Sequence, residues 1–286
     1  VTRSVRGWAA PVLATDKRAR GRCPDHGGHV RDAVIERHGR VGAGRHRAMG
    51  DDEVLVQFVR QVEGAFAPEV LARAAEQRGD LSAAEGWLLR IDNPQRQLEV
   101  QTRRATLLAR QGQLPQARAL IQALPERGPD DARAKLLAEA QVLREIKQWP
   151  EAAAVLQRGL THQPEDVDLM YELSMVEEKL GRFDDMERLL RQLIAAKPAH
   201  YHAHNALGYS LADRNVRLVE ARQQIEKAVS LSPNDAYIQD SLGWVEFRLS
   251  NTARALEILT AAYAKRPDAG IAAHLGEVLW VRGQRE

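Results

Sequence analysis

One cysteine in 286 residues excludes an intrachain disulfide framework, and Cys23 alone says almost nothing about compartment. Long apolar runs are missing too, which excludes a bundle of membrane-spanning helices, since each span needs roughly 18 to 20 consecutive apolar residues. There is no phosphate loop, no H-E-x-x-H, no G-x-S-x-G and no dinucleotide fingerprint, so the chain offers no recognisable catalytic residue and no cofactor site. Aromatics make up only 5%, yet apolar content of 44% is that of a folded chain.

Acidic residues are scarce in one place. Residues 1 to 50 hold eleven basic side chains against Asp16, Asp25, Asp32 and Glu36, a balance of +7. The other 236 residues carry 30 basic against 35 acidic groups, or −5, so the formal charge of +2 hides two kinds of chain. The basic head has eight glycines, four of the nine histidines and no sustained period, the composition of a disordered segment. Trp8 to Ala14 mimics a secretion signal behind Arg3 and Arg6, but seven apolar residues broken by Pro11 make a poor apolar core. Cys23, His26 and His29 are three metal-ligand types without a fourth. An Arg, Gly, Ala and His mixture behind an initial Val is also what an unselected frame of a GC-rich gene encodes. Ordered chain is therefore expected from about Asp51, with 51 to 66 reading as a single helix whose partner is missing. The arginines leave open a different function, binding of nucleic acid through phosphate contacts by the head.

Half of the twelve prolines fall on one grid: Pro94, Pro129, Pro164, Pro198, Pro233 and Pro267, spaced 34 or 35 residues apart. A period near 34 signals a solenoid. Ala117, Ala152, Met186, Ala221 and Ala255 stand on the same grid, as do Leu207-Gly208, Leu242-Gly243 and Leu275-Gly276, with turn glycines at Gly79, Gly112, Gly181 and Gly283. Each unit reads as two helices. Leu218, Ala221, Ile225, Ala228 and Val229 form one apolar stripe, Pro233 stops that helix, and Asn234 or Asp235 caps the next. The spacing predicts helix pairs near 67 to 92, 98 to 124, 131 to 161, 166 to 196, 201 to 230 and 235 to 265, then a lone helix at 269 to 282. That last helix has Leu275, Val278 and Leu279 seeking a neighbour, so the chain is expected to be a piece of a longer array, open to self-association through its terminal helices.

With AHNALGY, EARQQIEKAVSLSP and DSLGWVEF on the page, the chain resembles the tetratricopeptide repeat family over about residues 67 to 286. The resemblance implies an all-α fold, a right-handed α-solenoid of stacked helix-turn-helix units. It also implies a non-enzymatic scaffold that binds a protein or peptide in a concave groove lined by the first helix of each repeat. Carried over from the Leu-Gly anchor, the groove positions are Tyr171, Met175 and Lys179, then His202, Asn205, Tyr209 and Asp213, then Tyr237, Asp240, Trp244, Phe247 and Arg248, with Trp280 on the final helix. Trp244 and Phe247 have a second reading, packing against the next repeat. The family's carboxylate clamp of Lys, Arg and Asn is matched only by Asn205. His200, His202 and His204 are spaced i, i+2 and do not share a helix face, so no metal site is expected.

HNALGYSLADR, DSLGWVEFRL and AAHLGEVLW look most like the C-terminal repeats of proteobacterial tetratricopeptide lipoproteins at the outer membrane, some of them adaptors for a processing protease. No lipobox precedes Cys23, so the residues themselves default to the cytoplasm, whereas the resemblance implies the periplasmic side of the outer membrane.

Overall fold

The computed structural model describes residues 68–283, which form thirteen α-helices and, among the described residues, no strand. The chain falls into two compact units that divide between Asp92 and Asn93. In the first, α1 (Pro68–Arg78) and α2 (Leu81–Leu88) pack as a hairpin around Ala72, Ala75, Ala84 and Leu88. The calls on the head and on 51 to 66 lie outside the described residues.

The second unit runs through a short 3-10 turn, Pro94–Arg96, into α3 (Gln97–Arg110), α4 (Leu114–Gln122), α5 (Pro129–Glu145) and α6 (Trp149–His162). It continues with α7 (Val167–Lys179), α8 (Phe183–Ala196), α9 (Tyr201–Asp213), α10 (Leu218–Leu231), α11 (Ala236–Arg248), α12 (Thr252–Lys265) and α13 (Ala269–Val281). The helices come in antiparallel pairs, and each pair stacks on the next. First helices of neighbouring repeats pack on one another along most of the unit, whereas among the described residues second helices do not do so to the same degree. That asymmetry makes the first-helix side the inner face.

The grid residues explain where helices start. Two residues after Pro164, Pro198 and Pro233 stand Asp166, His200 and Asp235, and their side chains accept the free N–H groups of Leu169, Ala203 and Ile238. Asp268 does the same for Gly270. The first helix of each pair also stops in one way. Residue 79 of the first unit and residues 112, 147, 181, 215 and 250 of the second take left-handed backbone. The following N–H reaches back to a carbonyl five residues earlier, as from Gln148 to Leu143 and Asn251 to Glu246. Sequence reading saw the glycines among these turns and missed Lys147, Asn215 and Ser250, because three ordinary side chains carry the glycine conformation.

Paired helices touch most closely at glycine. A β-carbon on Gly208 would lie 2.7 Å from the Ala221 carbonyl oxygen and 2.6 Å from Ile225 Cγ1. One on Gly243 would meet Leu259 Cγ at 2.6 Å. The core between pairs is aliphatic, with Leu156, Leu169, Leu173, Leu190, Leu193, Leu207 and Leu211 fully buried. One repeat departs from the rule. The link from α9 to α10 is a residue longer than the other links within pairs of the second unit, and Arg217 absorbs the difference at φ 45. Its guanidinium, with that of Arg214 at 2.7 Å, closes on the buried Glu187 carboxylate of α8. Burial raises that carboxyl, but the two arginines outweigh it and hold it below its ordinary value.

Candidate partner-binding groove

The inner face carries two side-chain clusters, built by helix spacing that returns the same face every repeat. The first lies across α7 and α9. The Tyr171 ring sits 5.4 Å from that of His200 and 6.2 Å from that of His202, and Tyr201 lies 4.1 Å from His202. Burial pushes the Tyr171 hydroxyl up to about 12. Desolvation beside the packed rings likewise lowers His200 below the usual imidazole value, and also His202, although part of its surface is exposed. His200 needs the neutral form, because its Nδ1 lone pair accepts the Ala203 N–H at 3.1 Å. His202 is exposed and Tyr171 half-buried, whereas Met175 is buried; Lys179 is paired with Glu178 at 3.3 Å. Asn205 keeps its Oδ1 buried without a donor.

The second cluster joins α9, α11 and α13 around a residue the sequence reading passed over, His274. Its Nδ1 lies 2.9 and 3.0 Å from the two carboxylate oxygens of Asp240, its Nε2 lies 3.5 Å from the Tyr209 hydroxyl, and its ring stacks on Trp244 at 4.3 Å. Asp240 is completely buried, and burial pushes its carboxyl above the usual range against the pull of His274. The only signal in the sequence was spacing: His274 follows Asp240 by 34 residues, one period.

The groove positions thus separate by burial. Met175, Tyr209, Asp240 and Trp244 are packed between repeats, so of the two readings for Trp244 the structure takes packing on the next helix. Phe247 is half-buried against Ala255, Leu259 and Val278. Its neighbour Arg248 lies over Trp244 at 5.5 Å and donates Nη2 to the Asp213 carbonyl at 3.5 Å, its Nε buried without an acceptor. Tyr237 donates its hydroxyl to Asp268 at 3.4 Å and lies under the Arg266 guanidinium. Trp280 is 61% exposed on α13. His204 is buried and holds Gln224 at 2.7 Å and the Pro198 carbonyl at 3.0 Å. Among the described residues no group of three or more His, Cys, Asp or Glu is placed to hold a metal, and no helix is long and apolar enough to cross a membrane.

Helix pairs of this period, stacked with first helices inward, define a tetratricopeptide solenoid. Residues 137–185 and 179–236 match the tetratricopeptide repeat family, so that part of the chain carries tetratricopeptide repeats. It is similar to the TPR repeat-containing protein PA4667 of Pseudomonas aeruginosa, 38% identical over 207 residues, or 72% of this chain and 35% of the relative. The chain therefore spans about a third of the length of that curated relative. Among solved structures, a tetratricopeptide repeat protein from Parabacteroides merdae covers 76% of this chain and 86% of its own at 16% identity and a TM-score of 0.54. MamA from Desulfovibrio magneticus covers 54% of this chain and 88% of its own at 18% identity and a TM-score of 0.48.

Proposed function

We propose that this chain is a non-enzymatic scaffold whose inner face binds a segment of a partner polypeptide. One observation carries the reading. Tyr171, Tyr237 and Arg248 stay only half-buried on the first-helix face, together with the exposed His202. Aromatic and arginine side chains that keep accessible surface are the usual anchors of interfaces. The fold supports the same reading, since tetratricopeptide arrays are generally binding scaffolds.

The finer reading is an adaptor in cell-envelope complexes, one that delivers substrate to a protease. It rests on the resemblance of HNALGYSLADR, DSLGWVEFRL and AAHLGEVLW to outer-membrane tetratricopeptide lipoproteins. The nucleic-acid alternative rests on residues 1 to 50, which lie outside the described residues.

The test is capture by the full chain compared with its Tyr237→Ala and Arg248→Ala variants, with circular dichroism as the control for folding. Loss of a specific captured protein in the variants, at unchanged helicity, is expected. Undiminished capture by both variants would remove the inner face from the binding reaction. A protease or cell-wall hydrolase among the captured proteins would favour the adaptor reading.

A further inference from the structure

We propose that a cavity beside Arg248 selects the partner segment, by taking an acidic side chain set next to an aliphatic one. The inference deepens the scaffold reading and rests on it.

The starting point is a charge without a counter-charge. Elsewhere in this unit arginines meet carboxylates: Arg214 and Arg217 close on Glu187, Arg144 on Glu172, Arg133 on Asp168 and Arg118 on Glu139. Arg248 has no carboxylate partner among the described residues. Its bonds are the single long contact to the Asp213 carbonyl and the Trp244 face. A guanidinium has five N–H donors in a planar fork, so most of this one's capacity is unfilled.

That fork opens on a cavity of about 330 Å³ lined by Asn215, Phe247, Arg248, Ser250, Thr252 and Val281. Its walls divide by chemistry. Phe247 and the exposed Val281 form an apolar side, while Asn215, Ser250 and Thr252 add an amide and two hydroxyls around the cation. Asn215 and Ser250 are the left-handed turn residues of successive repeats, so the polar side is built from the same turn used twice. The size sits at the low end of ligand pockets, about 300 to 1,000 Å³. That is room for side chains rather than for a folded element.

One cation matches one carboxylate. A phosphate brings nearly two charges, and a nucleic-acid backbone brings a row of them that calls for several lysines or arginines in line. Asp213 offers Arg248 its backbone carbonyl, and Asp240, two turns back on α11, is buried and paired with His274. A single carboxylate paired with the guanidinium, with its aliphatic neighbour against Phe247 and Val281, satisfies both walls at once.

The experiment uses the full chain and fluorescent nonapeptide pools, capped at both ends, with randomised flanks around a central Glu-Leu, Gln-Leu or Glu-Ser. Anisotropy is expected to show the Glu-Leu pool bound about tenfold or more tighter than either control, the difference made by a charge-assisted pair. Arg248→Gln should collapse the Glu over Gln preference with circular dichroism unchanged, and Arg248→Lys should keep part of it. Equal binding of the Glu-Leu and Gln-Leu pools overturns the proposal, as does a preference that survives Arg248→Gln. So does tighter binding of an uncapped pool ending in Leu, which would assign the cation to a chain terminus, or of single-stranded RNA. Peptides that bind without regard to Glu yet are lost in Tyr237→Ala would leave the scaffold reading standing while the Arg248 selectivity falls.

Discussion

Glycine at 208 is a contact, not a hinge. Its missing side chain lets α10 approach until the Ala221 carbonyl stands 2.7 Å from where a β-carbon would be, and a backbone atom cannot step aside as a side-chain tip can. Gly208→Ala is therefore expected to cost about 1 to 3 kcal/mol in a urea melt, the usual price of overpacking. Gly276 stands at the same place in α13, where a β-carbon would meet nothing within 4 Å. Gly276→Ala should instead stabilise by up to about 1 kcal/mol, because alanine is the better helix former and nothing opposes it. Equal effects at the two sites would contradict the packing account. His200 is the second residue whose chemistry shows in bulk. Its lowered pKa means that the unfolded chain takes up a proton first as the pH falls through 6.5, so stability is lost on acidification toward the folded-state value. Protonation also removes the lone pair that caps α9. Thermal melts between pH 7.5 and 5 should show a smaller loss for His200→Asn, whose amide oxygen caps at every pH.

Among the elements, the turns are more uniform than the residues that build them. The left-handed position recurs in each repeat whether glycine, lysine, asparagine or serine occupies it. What drives it is the helix pair on either side, whose buried faces require the chain to reverse in three residues. A β-carbon in that backbone costs roughly 1 to 2 kcal/mol, and glycine gives part of that back in unfolded-chain entropy. Lys147→Gly is therefore expected to stabilise by about 0.5 to 1 kcal/mol, read as a higher urea midpoint with unchanged slope. An unchanged or lower midpoint would mean that Lys147 makes compensating contacts. The α9 to α10 link shows the reverse case, in which one added residue is accommodated by Arg217 and anchored by its pairing with Glu187.

Across the whole molecule, stability in a stacked array is a sum of repeats and their neighbouring interfaces. The second unit adds polar clasps to the aliphatic stack, and these set side chains from different repeats in fixed relation: Arg144 with Glu172, Arg214 with Glu187, His274 with Asp240. The basic balance belongs to the first 50 residues, and the inner face described above lies in the acidic remainder. A pI near 8.8 is accordingly no guide to what that face binds. The helices were legible from proline, glycine and apolar spacing because those signals are local and repeat. Caps were legible where Asp followed the grid proline, and half legible at His200, whose capping role no propensity announces.

The sequence by itself determined the period, the helix pairing and the small residues where helices meet, since chain stiffness and apolar spacing act within a few residues. Only the tertiary structure decided which groove positions are surface. Asp240 and Trp244 occupy the same faces as Tyr237 and Arg248, but they are closed over by His274, a residue from the next repeat whose ring fills the space between them. Burial at an inter-repeat seam depends on what the neighbouring unit brings, and no spacing within a single repeat encodes that.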